Sequence, residues 1–263
     1  WFWDAVENIS LMPWFCLTAL LHTILVLEKR NLLKTWTLIL SITTFTLSVS
    51  GTFLVRSGIL NSVHTFANDP SRGIFILIFL FILIILSIVI FFFFQVNDGP
   101  IIKKSFLLSK ETSIMINNWF MMYFLSVVLI GTMYPIILEV LSDNRVSIGP
   151  PFYNKLLYPF LILFLITMAF GTKLNWINST LPKFRYINFF YLFTSILISI
   201  YIVEITETKY LFSTALFGAS FILIIKATED FFVKNNNFSQ NLSHFAFSIF
   251  ILSILLNGIY SSE

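Results

Sequence analysis

About eight apolar runs, each near the length that crosses a bilayer, leave this chain few folds to choose from. They lie near residues 9–27, 33–55, 73–95, 119–139, 156–172, 186–203, 210–226 and 242–260. Hydrocarbon offers no partner to a backbone amide, so runs of this kind predict helices that bond within themselves. Hydrophobic residues make up 57% of the chain and charged ones 11%. A water-soluble domain of this size needs far more polar surface. The expected fold class is all-α: a polytopic integral membrane bundle of about eight helices, forming one domain over residues 1–263.

The charges lie mostly between the runs. Five of the 16 Lys and Arg residues (Arg56, Arg72, Arg145, Lys155 and Lys209) share the side of the N-terminal segment, and the other eleven fall on the opposite side. The positive-inside rule then puts the N-terminal segment outside, facing a periplasm or an intermembrane space. In such a chain a pI near 8.9 reports orientation, and no nucleic-acid partner is expected.

Phe occurs 32 times, and Phe, Ile, Asn and Lys all have AT-rich codons. Codon bias, with Phe filling lipid-facing positions, accounts for this better than an aromatic site. A protist mitochondrion or a reduced bacterium would have such a genome. Cys16 is the only cysteine and lies within an apolar run, so any thiol chemistry draws its sulfur from a partner.

Only three histidines occur, and His22 and His244 lie inside apolar runs, where an ionisable ring is costly and marks a functional candidate. His22 is about five residues before the inner end of the first run. His244 is about three residues after the inner start of the last. At 1.5 Å per residue these are depths of roughly 8 Å and 5 Å. Two imidazoles at similar depth, without Asp, Glu or Cys beside them, suit bis-imidazole ligation of haem iron better than a zinc site. The alternative is two unrelated rings, each bonded to nearby backbone, Ser or Thr. His64 lies in an outer loop, on the same face as Trp1, Phe2, Trp3, Trp14, Arg56 and Arg72. Such a set suits a flat macrocycle with two carboxylates, but it also describes an ordinary interfacial belt. Asp4 and Glu7 read either as an acidic pair or as acids in the first turn of a helix.

Several segments in order carry a resemblance. WFWDAVENISLMPWFCLTALLH is similar to the second half of the tryptophan-rich WWD signature of haem-handling proteins, running on into a histidine-bearing span. GTFLVRSGILNSVHTFANDPSRG resembles the second external loop of the CcmF branch. SKETSIMINN, GTMYPIILEV, SIGPPFYNKLLYP and NLSHFAFSIFILSILLNGIYSS follow in that branch's order. By these motifs the chain is identified as a member of the CcmF family, the haem lyases of cytochrome c maturation system I.

The resemblance divides the expected domain into a partial WWD segment at 1–14, an external loop at 56–72 holding His64, and a last span at 241–262 holding His244. It implies that His22 and His244 ligate a transmembrane haem b. It also implies that His64, with Trp1, Trp3, Asp4 and Arg56, serves an external haem. Haem would arrive on a CcmE-type carrier and be joined to the CxxCH thiols of apocytochrome c, presented by a CcmH-type chaperone. Quinol would supply electrons through haem b, and membrane lipid would surround the bundle. The signature begins mid-motif, Ala5 stands where the family usually has Pro, and the family's first external histidine has no counterpart here. A second CcmF fragment carrying the missing half is therefore an expected partner, as in split mitochondrial forms. The expected location is the mitochondrial inner membrane, with a bacterial inner membrane as the alternative. A non-catalytic subunit of a larger membrane complex, or a haem exporter, are the competing functions.

Overall fold

Eight helices carry the chain in the computed structural model, which describes residues 3–60, 62, 69–93, 106–142, 146–177, 186–205, 211–232 and 238–260. They are α1 (Ala5–Arg30), α2 (Lys34–Ser57), α3 (Pro70–Phe93), α4 (Lys110–Ser142), α5 (Pro150–Gly171), α6 (Tyr186–Ile205), α7 (Leu211–Phe232) and α8 (Phe238–Tyr260). Seven are long and apolar enough to cross a membrane, and α7 is the exception among the described helices. The chain is a polytopic helical membrane protein.

Two boundaries differ from those the hydropathy predicts, and polar chemistry explains both. Helix α4 starts nine residues before the expected 119 because Ser109 caps it. The Ser109 hydroxyl accepts the Thr112 amide at 3.2 Å, satisfying a donor that would otherwise be orphaned. Helix α7 runs past residue 226 because its terminal charges have partners. Lys226, assigned from the sequence to an inner loop, is helical and 4% exposed. Its ammonium donates to Asn188 Oδ1 at 2.6 Å and Glu229 Oε2 at 2.9 Å, and lies over the Tyr191 ring.

Contacts divide the chain into two compact units. The first holds residues 1–104 and 114–157, and the second holds 105–113 and 158–263. In the first, α1 packs on α2 and α2 on α3. Gly73 of α3 allows the close approach to α2, since a Cβ there would lie 2.9 Å from the Ser57 backbone. On α3, Phe75, Phe79, Phe81 and Phe92 are exposed, the distribution expected of a helix solvated by lipid. Helix α1 joins α4 through a buried polar pair in which Asn118 Nδ2 donates to Thr23 Oγ1 at 2.7 Å. Many Ser and Thr hydroxyls in the spans donate to their own helix, among them Thr18 to Trp14, Ser41 to Thr37 and Ser50 to Thr46. This removes polar hydrogens from the hydrocarbon without a neighbouring helix.

In the second unit, α6 packs on α7 and α7 on α8. The end of α7 is tied to the segment after α5. Lys173 bridges Glu229 at 2.7 Å and Asp230 at 3.5 Å, and Thr172 donates to Asp230. Burial raises the Glu229 carboxyl, but the bonds and charges of Lys173 and Lys226 outweigh it and hold the group below its ordinary value. For Asp230 burial prevails and the carboxyl is raised. Asn241 of α8 closes the corner, donating to the Asp230 carbonyl at 2.7 Å.

Candidate functional site

His22 faces a half-buried position on α1, and its Nδ1 lies 2.8 Å from the carbonyl oxygen of Thr18. A carbonyl can only accept, so Nδ1 carries the hydrogen and Nε2 is the lone-pair nitrogen. This is how ligating histidines are oriented: one ring nitrogen donates to backbone and the other addresses the metal. The backbone bond also meets the expectation for an unrelated span histidine, and the lone pair on Nε2 is what a metal would use. Thr23, the next residue, is fully buried and held by Asn118, which fixes the rotation of α1 here. His244 belongs to the second unit and is half-buried on α8, one turn after the Asn241 anchor. Among the described residues, no three of His, Cys, Asp and Glu gather as a metal site.

At the start of α1, Asp4 is the N-cap, and its side chain accepts the Val6 amide at 3.1 Å. Glu7 lies in the first turn, so these acids serve the helix start. The Asp4 oxygen that caps α1 also accepts the hydroxyl of Ser62, 58 residues away. Arg56 is half-buried at the end of α2, and its carbonyl accepts the Asp69 amide at 3.0 Å. Asp69 in turn pairs with Arg72 at 3.1 Å. Ser62 is therefore tethered to the N-terminal segment and Asp69 to Arg56. Trp1 and His64 lie outside the described residues.

Trp3 immediately precedes the Asp4 cap. Its φ is 58°, a left-handed conformation that costs a non-glycine residue about 1–3 kcal/mol. Its ring stacks on Tyr153 of α5, with centroids 4.2 Å apart and planes 9° apart. Asn8 Nδ2 donates both to the Trp3 carbonyl and to the Tyr153 hydroxyl, each at 3.1 Å. Sequence reasoning missed Asn8 and Tyr153. Each sits within a family-like segment, but nothing in the linear spacing links two residues 145 apart.

Asp4→Ala removes both the cap and the Ser62 tether. The cap alone is worth about 1 kcal/mol. The expected outcome is faster amide exchange in the first turn of α1, with exchange in α4 unchanged.

Three comparisons bear on these features. The family model "Cytochrome C assembly protein" matches residues 1–64. "Cytochrome c-type biogenesis protein CycK" of Bradyrhizobium diazoefficiens is 49% identical over 178 residues, covering 67% of this chain and 26% of that protein. "Cytochrome c-type biogenesis protein CcmF" of Escherichia coli is 37% identical over 218 residues, covering 82% of this chain and 33% of that protein. The chain thus spans about a quarter to a third of the length of these curated relatives. The solved structure "Cytochrome c Heme Lyase CcmF" matches 99% of this chain and 40% of its own, with a TM-score of 0.71 at 22% identity, a likeness of fold. A family model over residues 1–64, relatives at 37–49% identity and the shared helical fold lead to one assignment: the chain belongs to the CcmF family of cytochrome c-type biogenesis proteins.

Proposed function

We propose that this chain is the haem-handling part of a cytochrome c haem lyase, with a transmembrane haem b and an external face that receives haem. The observation that carries the reading is the His22 ring, which lies within a span, has Nδ1–H bonded to Thr18, and has Nε2 as its lone-pair nitrogen. That donor suits haem iron. In this reading His22 and His244 would hold haem b, which when bound would supply one-electron transfer. The Thr18 carbonyl holds the His22 ring in the required tautomer, and the Thr23–Asn118 pair fixes the helix that carries it.

At the outer face, Trp1 and Trp3 offer aromatic planes, Arg56 offers a fork suited to a propionate, and His64 offers an imidazole. Asp4 orders the segment by capping α1. The haem there is a substrate, delivered by a CcmE-type carrier. Two thiols of an apocytochrome c CxxCH segment, presented by a CcmH-type chaperone, add across its two vinyl groups. Two thioether bonds form, each S–H proton goes to a vinyl carbon, and nothing leaves. Quinol is the proposed reductant for haem b. The proposed location is a mitochondrial inner membrane, with the N-terminal segment in the intermembrane space.

Purified in detergent from haem-replete membranes, the full chain is expected to show a Soret band and a low-spin b-type spectrum on reduction. If no Soret band appears, even after addition of iron protoporphyrin IX, the reading fails and a structural membrane subunit is the better account.

A further inference from the structure

We infer that Tyr153 is a positioning residue that sets the plane of Trp3 at the outer face, with Asn8 and Gly131 holding Tyr153 in place. The inference deepens the proposed function and rests on the reading that Trp3 meets haem there.

Four observations converge on this stack. Trp3 adopts a left-handed backbone that its own side chain disfavours, and such outliers persist only where surrounding structure imposes them. Asn8 imposes the backbone by donating to the Trp3 carbonyl. Because that carbonyl can only accept, the orientation of the amide is fixed, and the same nitrogen bonds the Tyr153 hydroxyl. Tyr153 is 1% exposed, so its outer face is covered by Trp3 and it is no surface residue itself.

Gly131 completes the arrangement from α4. A Cβ at Gly131 would lie 2.7 Å from both Cε1 and the hydroxyl oxygen of Tyr153, so only glycine lets the ring seat this deeply. Asn8 is 1% exposed and its buried Oδ1 meets no hydrogen-bond donor among the described residues, a further local cost borne at the same spot. A strained backbone, a buried acceptor and a glycine-only contact are a lot to maintain for one helix start. They are intelligible if the product is a tryptophan ring held at one angle. A flat macrocycle stacks well only on a ring whose plane is set in advance, since pre-organisation spares the ordering cost at binding.

The test uses the full chain in its native membrane assembly, with iron protoporphyrin IX as the probe. Tyr153→Leu is expected to weaken the outer site about threefold to tenfold, the worth of an aromatic pair. The b-type spectrum stays unchanged. Tyr153→Phe, which keeps the stack, is expected to bind nearly as the wild type does. In the haem-free protein, Tyr153→Leu also shifts tryptophan emission to longer wavelength, and Tyr153→Phe does not. If Tyr153→Leu binds haem like the wild type while Trp3→Leu does not, the positioning role is overturned and the haem face stands. If Trp3→Leu binds haem as tightly as the wild type, the reading of the face itself fails. Should Tyr153→Leu not insert, Asn8→Ala serves instead: about threefold weaker binding supports the inference, and wild-type binding overturns it.

Discussion

His22→Ala is expected to abolish the low-spin b-type spectrum completely while leaving membrane insertion intact. The ring is half-buried on α1, and its Nδ1–H is bonded to the Thr18 carbonyl. Alanine removes the only ring nitrogen this turn offers to iron. It also removes an ionisable group from a span, so insertion becomes easier. Buried Thr23 and Asn118 still tie α1 to α4, which keeps the helix in place. His244→Ala is expected to give the same spectral loss. A variant at either position that keeps a six-coordinate, low-spin spectrum would place the haem b ligands elsewhere. The proposed outer site provides the control, since haem delivered there is expected to bind the His22→Ala protein as before.

Lys226→Met is expected to be the most destabilising of these changes, at about 3 kcal/mol. Methionine keeps the length of the stem, so packing changes little and charge dominates. Two short bonds from the ammonium, to Asn188 and Glu229, are lost, together with its contact on Tyr191. Hydrogen bonds to a charged group are worth about 1.5–3 kcal/mol each, and stripping one partner from a buried pair costs about 3–5 kcal/mol. The lower end applies because Lys173 still faces Glu229. Detergent-unfolding curves of the two proteins measure the difference. The pH dependence supplies a signature. Glu229 is held below its ordinary value of 4.5, so its contribution is present above that pH and lost as the pH falls through the folded value. Lys226→Met removes part of that contribution, so the gap between the two proteins should narrow on the acid side. A gap that is constant with pH would mean that packing, and not the ion pair, carries Lys226.

How much of this was readable in one dimension differs sharply between features. The apolar runs were legible because the cost of placing a residue in hydrocarbon is a property of each residue, summed along the chain. Spans over 33–55 and 73–95 correspond to α2 and α3 almost end to end. The errors fell where polar partners decide. Helix α4 begins at a capping hydroxyl, and α7 extends through charges whose partners, Lys173 and Asn188, lie 56 and 38 residues away. The histidines stood out because an imidazole in a span is conspicuous by composition alone. The orientation of His22, and hence which of its nitrogens is offered, needed the position of a carbonyl one turn back.

Sequence by itself thus determined the class of fold, the number of helices, the family and the residues worth suspecting, since each rests on local hydropathy or on contiguous motifs. Tertiary structure alone decided that Asp4 holds Ser62, that Asn118 holds Thr23, and that Tyr153 carries Trp3. Those pairs are 58, 95 and 150 residues apart in the chain. Hydrogen bonds and ring stacks act over a few ångströms and carry no record along the chain of which distant residue answers them, so only the folded helices bring the partners together.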